Sequence, residues 1–430
     1  MKRAPLIILF VTLFLDLLGF SIILPLLPVY IKHYGGSPIV GGLLLASFSC
    51  MQFLFSPIWG RMSDKYGRRP MMLLSLIGSA VSYFCFGAAP NLVVLFLARI
   101  SAGVLSAASL PTAQAYIADV TTPDKRAGGM AMIGASFGLG FAFGPILGGY
   151  LSQHPVFGIP PLAMPSYFAA SLALINFAFA LFLLPETHHD RSVTIEDKGP
   201  FAAFTAIARA MKQPSIRAEL IVFGFVTFAF TAVESSFSWL INLRFHDQIL
   251  KRAIEEYEAN GHVFAALSTG LQRQLEEKAA TATTATIFSI VGVTILVVQG
   301  AVMGGLAKRL GETFLVRVGA MVLTITLLGI AFSHSLPMIW IFSAMIALGS
   351  GILNPSLTSL ITKGAGPQER GTISGAQQGL GSAARIIAPP INNALIQFYS
   401  PVPFVFSAVL MFVAFGLSMK LRPAEVERES

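Results

Sequence analysis

Charged residues are scarce in this chain. Asp, Glu, Lys and Arg make up 12% of its 430 residues, whereas a soluble protein has about 25%. Hydrophobic residues reach 54%, and long apolar runs recur along the whole sequence. No polar stretch is long enough for a separate soluble domain, so the composition indicates a protein that crosses a membrane many times.

Cysteine and the usual groups of an active site are also nearly absent. The two cysteines, Cys50 and Cys85, lie within apolar runs, which excludes a disulfide framework and a zinc motif. The seven histidines have no metal-ligand spacing on a helix, and no phosphate-binding loop of the form G-x-x-x-x-G-K-[S/T] occurs. These absences argue against an enzyme and an ATP-driven pump, and we expect no cofactor and no bound metal.

The apolar runs divide into twelve candidate membrane spans, because a helix needs about 20 residues to cross the hydrocarbon core. They lie at residues 6–30, 40–59, 70–88, 92–115, 127–151, 165–184, 217–242, 284–306, 314–332, 337–361, 372–397 and 403–421. The first run follows a basic start but contains Asp16 and lacks a small-residue cleavage site. We therefore expect it to be retained as a span.

Basic residues are concentrated in the loops on one side of the membrane. With the N-terminus in the cytoplasm, most of the 29 lysines and arginines fall in cytoplasmic segments, as expected for a multi-pass protein. This pattern predicts an inner or plasma membrane protein with both termini in the cytoplasm. The formal net charge of +8 then requires no nucleic-acid partner.

Two polar segments interrupt the spans and predict the domain organisation. Residues 1–184 form a first six-helix half, 185–216 a cytoplasmic linker, and 217–430 a second half with an extracytoplasmic insert at 246–282. Apolar residues recur at helical spacing twice within the insert, which predicts two short amphipathic helices. A surface cap, a substrate-gating lid and a docking site for a partner all remain open as roles for the insert.

The two halves contain an internal repeat with an offset of 244 residues. The segment "GRMSDKYGRRP" begins at Gly60 and "GGLAKRLGETF" begins at Gly304. Glycines and prolines recur at the same offset, including Gly67 with Gly311 and Pro145 with Pro389. Because both residue types set backbone geometry, this registration indicates parallel structural repeats. Such repeats place a binding site at their interface near the membrane midplane.

Several motifs now resemble the major facilitator superfamily, and most of all its tetracycline/proton antiporters and their drug-efflux relatives. The resembling segments are "LDLLGFSIILPLLP", "GRMSDKYGRRP", "LARISAGVLSAA", "AYIADVTTPDKRA" and "GLGFAFGPILGG". The resemblance implies an all-helical fold with twelve transmembrane helices in two six-helix parallel repeats. It also implies alternating access, in which one half rocks against the other.

The resemblance implies roles for two sets of residues. The gating motif comprises Gly60, Asp64, Gly67, Arg68, Arg69, Asp119 and Arg126, and the antiporter motif comprises Gly140, Gly144, Pro145, Gly148 and Gly149. There are also departures from the family pattern. The third and ninth helices lack an acid, which argues against a metal–drug chelate as the substrate, and Lys308 stands where the second repeat would carry the motif aspartate.

Four ionisable residues lie deep within the spans: Asp16, Arg99, Glu234 and Arg385. Each costs about 2.5–3.5 kcal/mol at a span centre, so such residues usually pair or function. Two buried ion pairs would be a structural explanation, and Glu234 with Arg385 is a plausible pair from depth alone. Proton coupling would be the functional explanation. Burial disfavours a charged carboxylate and a nearby arginine favours it, so a carboxylate balanced between the two effects can bind and release a proton. The resemblance adds Arg99 to the coupling residues.

We expect an apolar substrate cavity with few polar anchors. The candidate lining residues are Gln114, Phe137, Phe141, Phe237, Gln378 and Asn392, and the further intramembrane amides are Gln52, Asn176, Gln377 and Asn393. The sequence thus predicts a monomeric transporter that exports small lipophilic or amphipathic molecules in exchange for protons. A uniporter or symporter of a metabolite or sugar on the same fold is the alternative, and sodium coupling stays open.

Overall fold

Helices form all the regular secondary structure in the part of the chain that the computed structural model describes. That part covers residues 3–187, 202–214, 216–259, 264, 268–364 and 370–421. Residues 188–201 and 215 of the predicted linker and the C-terminus after residue 421 lie outside it.

The first half contains eight helices. They are α1 Arg3–Ile23, α2 Leu27–His33, α3 Pro38–Tyr66, α4 Arg68–Gly87, α5 Leu92–Ser106, α6 Ser109–Val120, α7 Pro123–Gln153 and α8 Met164–Leu183. A short 3-10 turn at Leu24–Leu26 separates α1 from α2. Pro25 and Pro28 lie at this break, where their missing backbone N–H groups interrupt the α-helical hydrogen bonds.

One described helix, α9 Ala202–Met211, lies within the predicted linker. Eight described helices follow it: α10 Arg217–Arg244, α11 His246–Ala259, α12 Thr269–Val297, α13 Met303–Leu310, α14 Glu312–Ala331, α15 Leu336–Gly364, α16 Arg370–Phe398 and α17 Val402–Ser418. A π-helical turn, Val298–Val302, joins α12 to α13. Such turns insert one extra residue and often occur at functional positions.

Ten of the helical stretches in the described residues are long and apolar enough to cross a membrane. They match the first ten predicted spans in order. Helix α17 is apolar but only 17 residues long. Helix α16 has 29 residues and takes the place of the predicted eleventh span. It is not among the ten, and its sequence carries Gln377, Gln378, Arg385, Asn392 and Asn393.

The insert differs from its prediction in one respect. Helix α11 is the first of the two expected amphipathic helices, and its Ile249 is buried. The second is wrong as a separate short helix, because α12 runs unbroken from Thr269 to Val297. No glycine or proline interrupts residues 271–291, so the amphipathic turns continue directly into the span.

Helix α11 rests on the turn between α14 and α15. Gln248 Nε2 donates to the carbonyl oxygen of His334 at 2.9 Å, and Arg252 lies over the ring of Trp340 at 5.7 Å. Arg244, at the end of α10, donates to the carbonyl oxygen of Ala331 at 2.5 Å. These contacts tie the insert to the second half of the chain.

Backbone geometry supports the internal repeat. Gly67 links α3 to α4 with φ 106°, and Gly311 links α13 to α14 with φ 78°. Both values lie in the left-handed region that favours glycine. The two positions are related by the sequence offset, and both helix junctions lie at the end of the molecule that carries most basic residues, here called the basic end.

The two halves are in direct contact near the opposite end, here called the far end. Asn393 Nδ2 donates to the carbonyl oxygen of Pro38 at 2.9 Å, which links α16 to α3. A Cβ atom added at Gly42 would lie 2.7 Å from the carbonyl carbon of Pro389, so these backbones are in direct contact. Helix α7 packs against α12 as well: a Cβ atom added at Gly292 would clash with the amide nitrogen of Ala142, and Gly149 faces the side chain of Ala285.

Helix α7 also packs tightly against α1 through three glycines. Gly140, Gly144 and Gly148 all face the backbone of residues 17–22, and Ser21 Oγ donates to the carbonyl oxygen of Gly140 at 2.6 Å. Small residues at a helix interface let the two backbones approach closely. The antiporter motif thus has a packing role in holding α1, the helix that carries Asp16.

We predict that Gly144→Ala destabilises the protein. Its new Cβ would lie 2.8 Å from Ser21 Cβ and 3.0 Å from the Ile22 amide nitrogen, and overpacking of this kind costs about 1–3 kcal/mol. Gly134→Ala in the same helix is the matched control, because its nearest neighbour, Gln299 Oε1, is 3.7 Å away. Thermal unfolding of the purified protein in detergent measures both, and equal melting temperatures would contradict the prediction.

Candidate functional site

Asp16 lies near the middle of α1 and is held by two hydroxyl groups. Ser79 Oγ on α4 donates to one carboxylate oxygen at 3.2 Å, and Ser109 Oγ on α6 donates to the other at 2.9 Å. Among the described residues, no lysine or arginine nitrogen lies within 4.0 Å of this carboxylate. The carboxylate therefore has neutral donors rather than an ion-pair partner.

Arg99 on α5 is enclosed by aromatic rings. It is 3% exposed, and its guanidinium carbon lies 5.9, 5.6 and 5.5 Å from the ring centres of Phe20, Phe48 and Phe86. Its Nε and Nη2 have no hydrogen-bond partner within the described structure. Tyr83 on α4 interacts electrostatically with both Asp16 and Arg99. The three ionisable groups thus form one cluster inside the first half.

Glu234 on α10 and Arg385 on α16 form a second, looser cluster. Their charges interact, but no oxygen–nitrogen distance between these two described residues is 4.0 Å or less. Arg385 and Gln378 are exposed on one face of α16, while Ile387 and Ile391 are exposed on another. Since a lipid-facing surface is apolar, the polar face is expected to turn away from lipid.

The gating residues converge on Arg68 at the start of α4. Its guanidinium contacts the carboxylate of Asp64, donates to Asp119 Oδ2 at 3.0 Å and donates to Ser63 Oγ at 2.8 Å. The neighbouring Arg69 donates to the carbonyl oxygen of Leu181. The cluster joins α3, α4 and α6, with α8 attached through Arg69. The side chain of Arg126 lies outside the described residues.

Glu186, just after α8, completes this cluster and was missed from the sequence. Its carboxylate accepts hydrogen bonds from the backbone N–H of Arg68 at 2.9 Å and of Arg69 at 3.1 Å. The first amides of a helix have no partner within the helix, so Glu186 caps α4. It also places a negative charge at the positive end of the helix dipole. The available signal was an acid directly following the sixth span.

The second half repeats the Arg68–Asp119 ion pair with its charges exchanged. Glu312 begins α14 and accepts a hydrogen bond from Lys363 Nζ at 2.7 Å. The offset of 244 relates Glu312 to Arg68 and Lys363 to Asp119. An acid is favourable at a helix N-terminus, whereas an arginine is not. Of these two helices in the described structure, only the one that begins with Arg68 receives a capping carboxylate from another segment.

The predicted cavity residues separate into two groups. Gln114, Phe137 and Phe141 are half-buried, and Phe137 stacks on Phe141 with ring centres 6.4 Å apart. Phe237 and Asn392 were expected to line the cavity but are buried in the second half, with exposures of 1% and 0%. Phe237 packs edge-on against Phe288 and Phe404 there, which accounts for its burial.

A sequence model of the major facilitator superfamily matches residues 9–389 and, in a second alignment, 258–430. The chain belongs to this superfamily. It is therefore a multi-pass membrane transporter and not an enzyme.

Similar proteins include bacterial resistance proteins. Multidrug resistance protein 2 of Bacillus subtilis strain 168 is 28% identical over 97% of this chain and 95% of its own length. Tetracycline resistance protein, class E, of Escherichia coli is 31% identical over 88% of this chain and 84% of its own length. The resemblance to drug-efflux relatives is thus confirmed.

A solved structure shares the whole architecture. The crystal structure of the human organic anion transporter MFSD10 (TETRAN) matches with a TM-score of 0.69 and 26% sequence identity. The match covers 97% of this chain and 99% of that one.

We predict that Glu186→Ala exposes the first turn of α4. Losing a helix cap costs about 0.5–2 kcal/mol, and the amides of Arg68 and Arg69 lose their acceptor. Hydrogen–deuterium exchange of these two amides should become faster. Glu255→Ala is the control, because Glu255 is exposed and lies 4.0 Å from Lys251. Unchanged exchange at the start of α4 in Glu186→Ala would refute the capping role.

Proposed function

We propose that this transporter exports small lipophilic or amphipathic molecules in exchange for protons. The observation that carries the proposal is the pair of serine hydroxyls on the Asp16 carboxylate. A hydroxyl can donate to a carboxylate and can accept from a protonated carboxyl group. Both protonation states of Asp16 therefore keep their hydrogen bonds, which suits a group that loads and releases a proton in each cycle.

An ion pair would not have this property. A carboxylate that is bonded to an arginine loses the interaction when it is protonated, and the buried cation is left unpaired at a large cost. The absence of a lysine or arginine within 4.0 Å of Asp16 in the described structure therefore favours coupling over a purely structural role. Arg99 is proposed to act together with Asp16, because both are buried in the first half near Tyr83.

Glu234 and Arg385 are proposed to meet the substrate from the second half. Arg385 is exposed on the polar face of α16, and Glu234 is close enough for their charges to interact. Aromatic side chains on α7 supply apolar contacts on the opposite side, namely Phe137 and Phe141. Such a cavity combines apolar walls with few charged anchors, which suits amphipathic molecules.

Transport would follow from rocking of residues 1–184 against residues 217–430, with the linker at the basic end. The contacts of α3 with α16 close the far end, and the polar face of α16 is exposed nearer the basic end. We place the basic end in the cytoplasm on the positive-inside rule. The described conformation would then be open to the cytoplasm, in a monomer of the inner or plasma membrane.

The proposal predicts that transport driven by a pH gradient depends on Asp16. In proteoliposomes, wild type should move a fluorescent lipophilic anion or a lipophilic cation faster when a pH gradient is imposed. Asp16→Asn cannot change its protonation state, so the gradient should no longer accelerate its flux. Glu234→Gln should lose either the acceleration by the pH gradient or the affinity for the transported probe. Asp247→Asn in the insert helix is the control acid outside the spans and should behave like wild type.

Two outcomes would contradict the proposal. If the pH gradient accelerates flux equally in wild type, Asp16→Asn and Glu234→Gln, proton coupling through these carboxylates is excluded. Flux that never responds to the gradient, in wild type as well, would indicate a uniporter.

A further inference from the structure

Six described residues of the first half have a buried polar atom without a hydrogen-bond partner, and three of them are both uncharged and fully buried. Ser75 Oγ on α4, Thr112 Oγ1 on α6 and Asn176 Oδ1 on α8 have no hydrogen-bond partner among the described residues. All three residues are 0% exposed. A buried polar group that stays unsatisfied costs about 1–3 kcal/mol, so three in one region require a common explanation.

The three side chains lie at one level of the helix bundle. Ser75 precedes Ser79 by one helical turn on α4, and Thr112 follows Ser109 by about one turn on α6. Since α4 runs away from the basic end and α6 runs towards it, both lie on the basic-end side of the two serines that bind Asp16.

Asn176 belongs to the same level. Its Nδ2 donates to the backbone carbonyl of Thr12 at 2.9 Å, and Thr12 precedes Asp16 by one turn on α1. Three unsatisfied atoms, from α4, α6 and α8, are therefore one turn from Asp16 on the same side of it. Their common level favours one explanation for all three atoms.

The surroundings of this level are apolar and closed. Leu13, Met72 and Leu76 belong to the buried hydrophobic cluster of the first half that extends towards the basic end, and each is at most 3% exposed. Bulk solvent therefore does not satisfy the three polar atoms. Internal water molecules meet this requirement in other proteins, where each typically forms about three hydrogen bonds to buried polar groups.

We infer that Ser75, Thr112 and Asn176 form an internal water-binding site, connected to Asp16 through the hydroxyls of Ser79 and Ser109. The link between the water site and Asp16 has a role in transport only if Asp16 carries the coupling proton. That part of the inference rests on the proposed function. Each exchange moves one proton from the Asp16 carboxyl to the bound water and returns another, so no net charge is left in the core. The other ionisable groups that face Asp16 are Tyr83 on α4 and, beyond it, Arg99 on α5.

The sign of a stability change tests the water site without any transport measurement. Ser75→Ala with Thr112→Val removes two hydroxyls at nearly constant volume. If water is bound, the variant loses those hydrogen bonds and its melting temperature falls. If the atoms are dry, removal of two unsatisfied groups raises the melting temperature. An increase or no change would overturn the inference.

The control for this measurement is Thr326→Val in the second half. Thr326 is also 0% exposed, but its hydroxyl donates to the carbonyl oxygen of Val322 in its own helix at 2.6 Å. We expect a smaller decrease for this variant than for the double variant. If the double variant does not fold, Thr112→Val alone supplies the same comparison.

A second experiment tests the connection to Asp16. Infrared spectroscopy of the purified protein follows hydrogen–deuterium exchange of the carboxyl band that Asp16→Asn removes. We expect slower exchange in Ser75→Ala with Thr112→Val, and a wild-type rate in Thr326→Val. Equal rates in all three would overturn the connection. Both experiments give a result even if gradient-driven transport fails, so the two proposals are tested separately.

Discussion

The hydrocarbon core of a membrane offers no hydrogen-bond partner, and the rest of this structure depends on that constraint. Backbone polar groups are satisfied within helices, and the described residues contain no other regular secondary structure. Charged side chains at this depth are expensive, so Asp16 and Arg99 are enclosed by protein. Asp16 receives hydroxyl groups and Arg99 receives aromatic rings, whereas Arg385 is exposed on the polar face of α16.

Close backbone contact is the second consequence of the same constraint. Lipid tails are as apolar as leucine, so burial alone does not drive helices together, and packing of small residues has to contribute. The glycines of α7 bring its backbone against α1 on one side, and Gly292 of α12 brings the backbones of α7 and α12 together on the other. One helix thereby supports the Asp16 helix and also forms part of the contact between the halves.

Charge at the basic end follows a different rule, because water and lipid headgroups are accessible there. The repeat preserves an ion pair between the start of one helix and the end of another, but it exchanges the signs of the partners. Arg68 begins its helix at the positive end of the dipole and is offset by the carboxylate of Glu186. Glu312 needs no such partner, since its own charge is favourable at that end. The two halves thus reach similar geometry with different electrostatics.

The sequence by itself determined the membrane class, the positions of the first ten spans, the 244-residue repeat and the superfamily. These follow from apolar periodicity and from glycine and proline positions, which are local properties of the chain. Only the tertiary structure decided which polar groups meet. Ser79 and Ser109 on Asp16, Glu186 at the start of α4, and the burial of Phe237 and Asn392 all depend on how helices distant in sequence face one another. Helix facing is set by packing between segments, and no single segment contains that information.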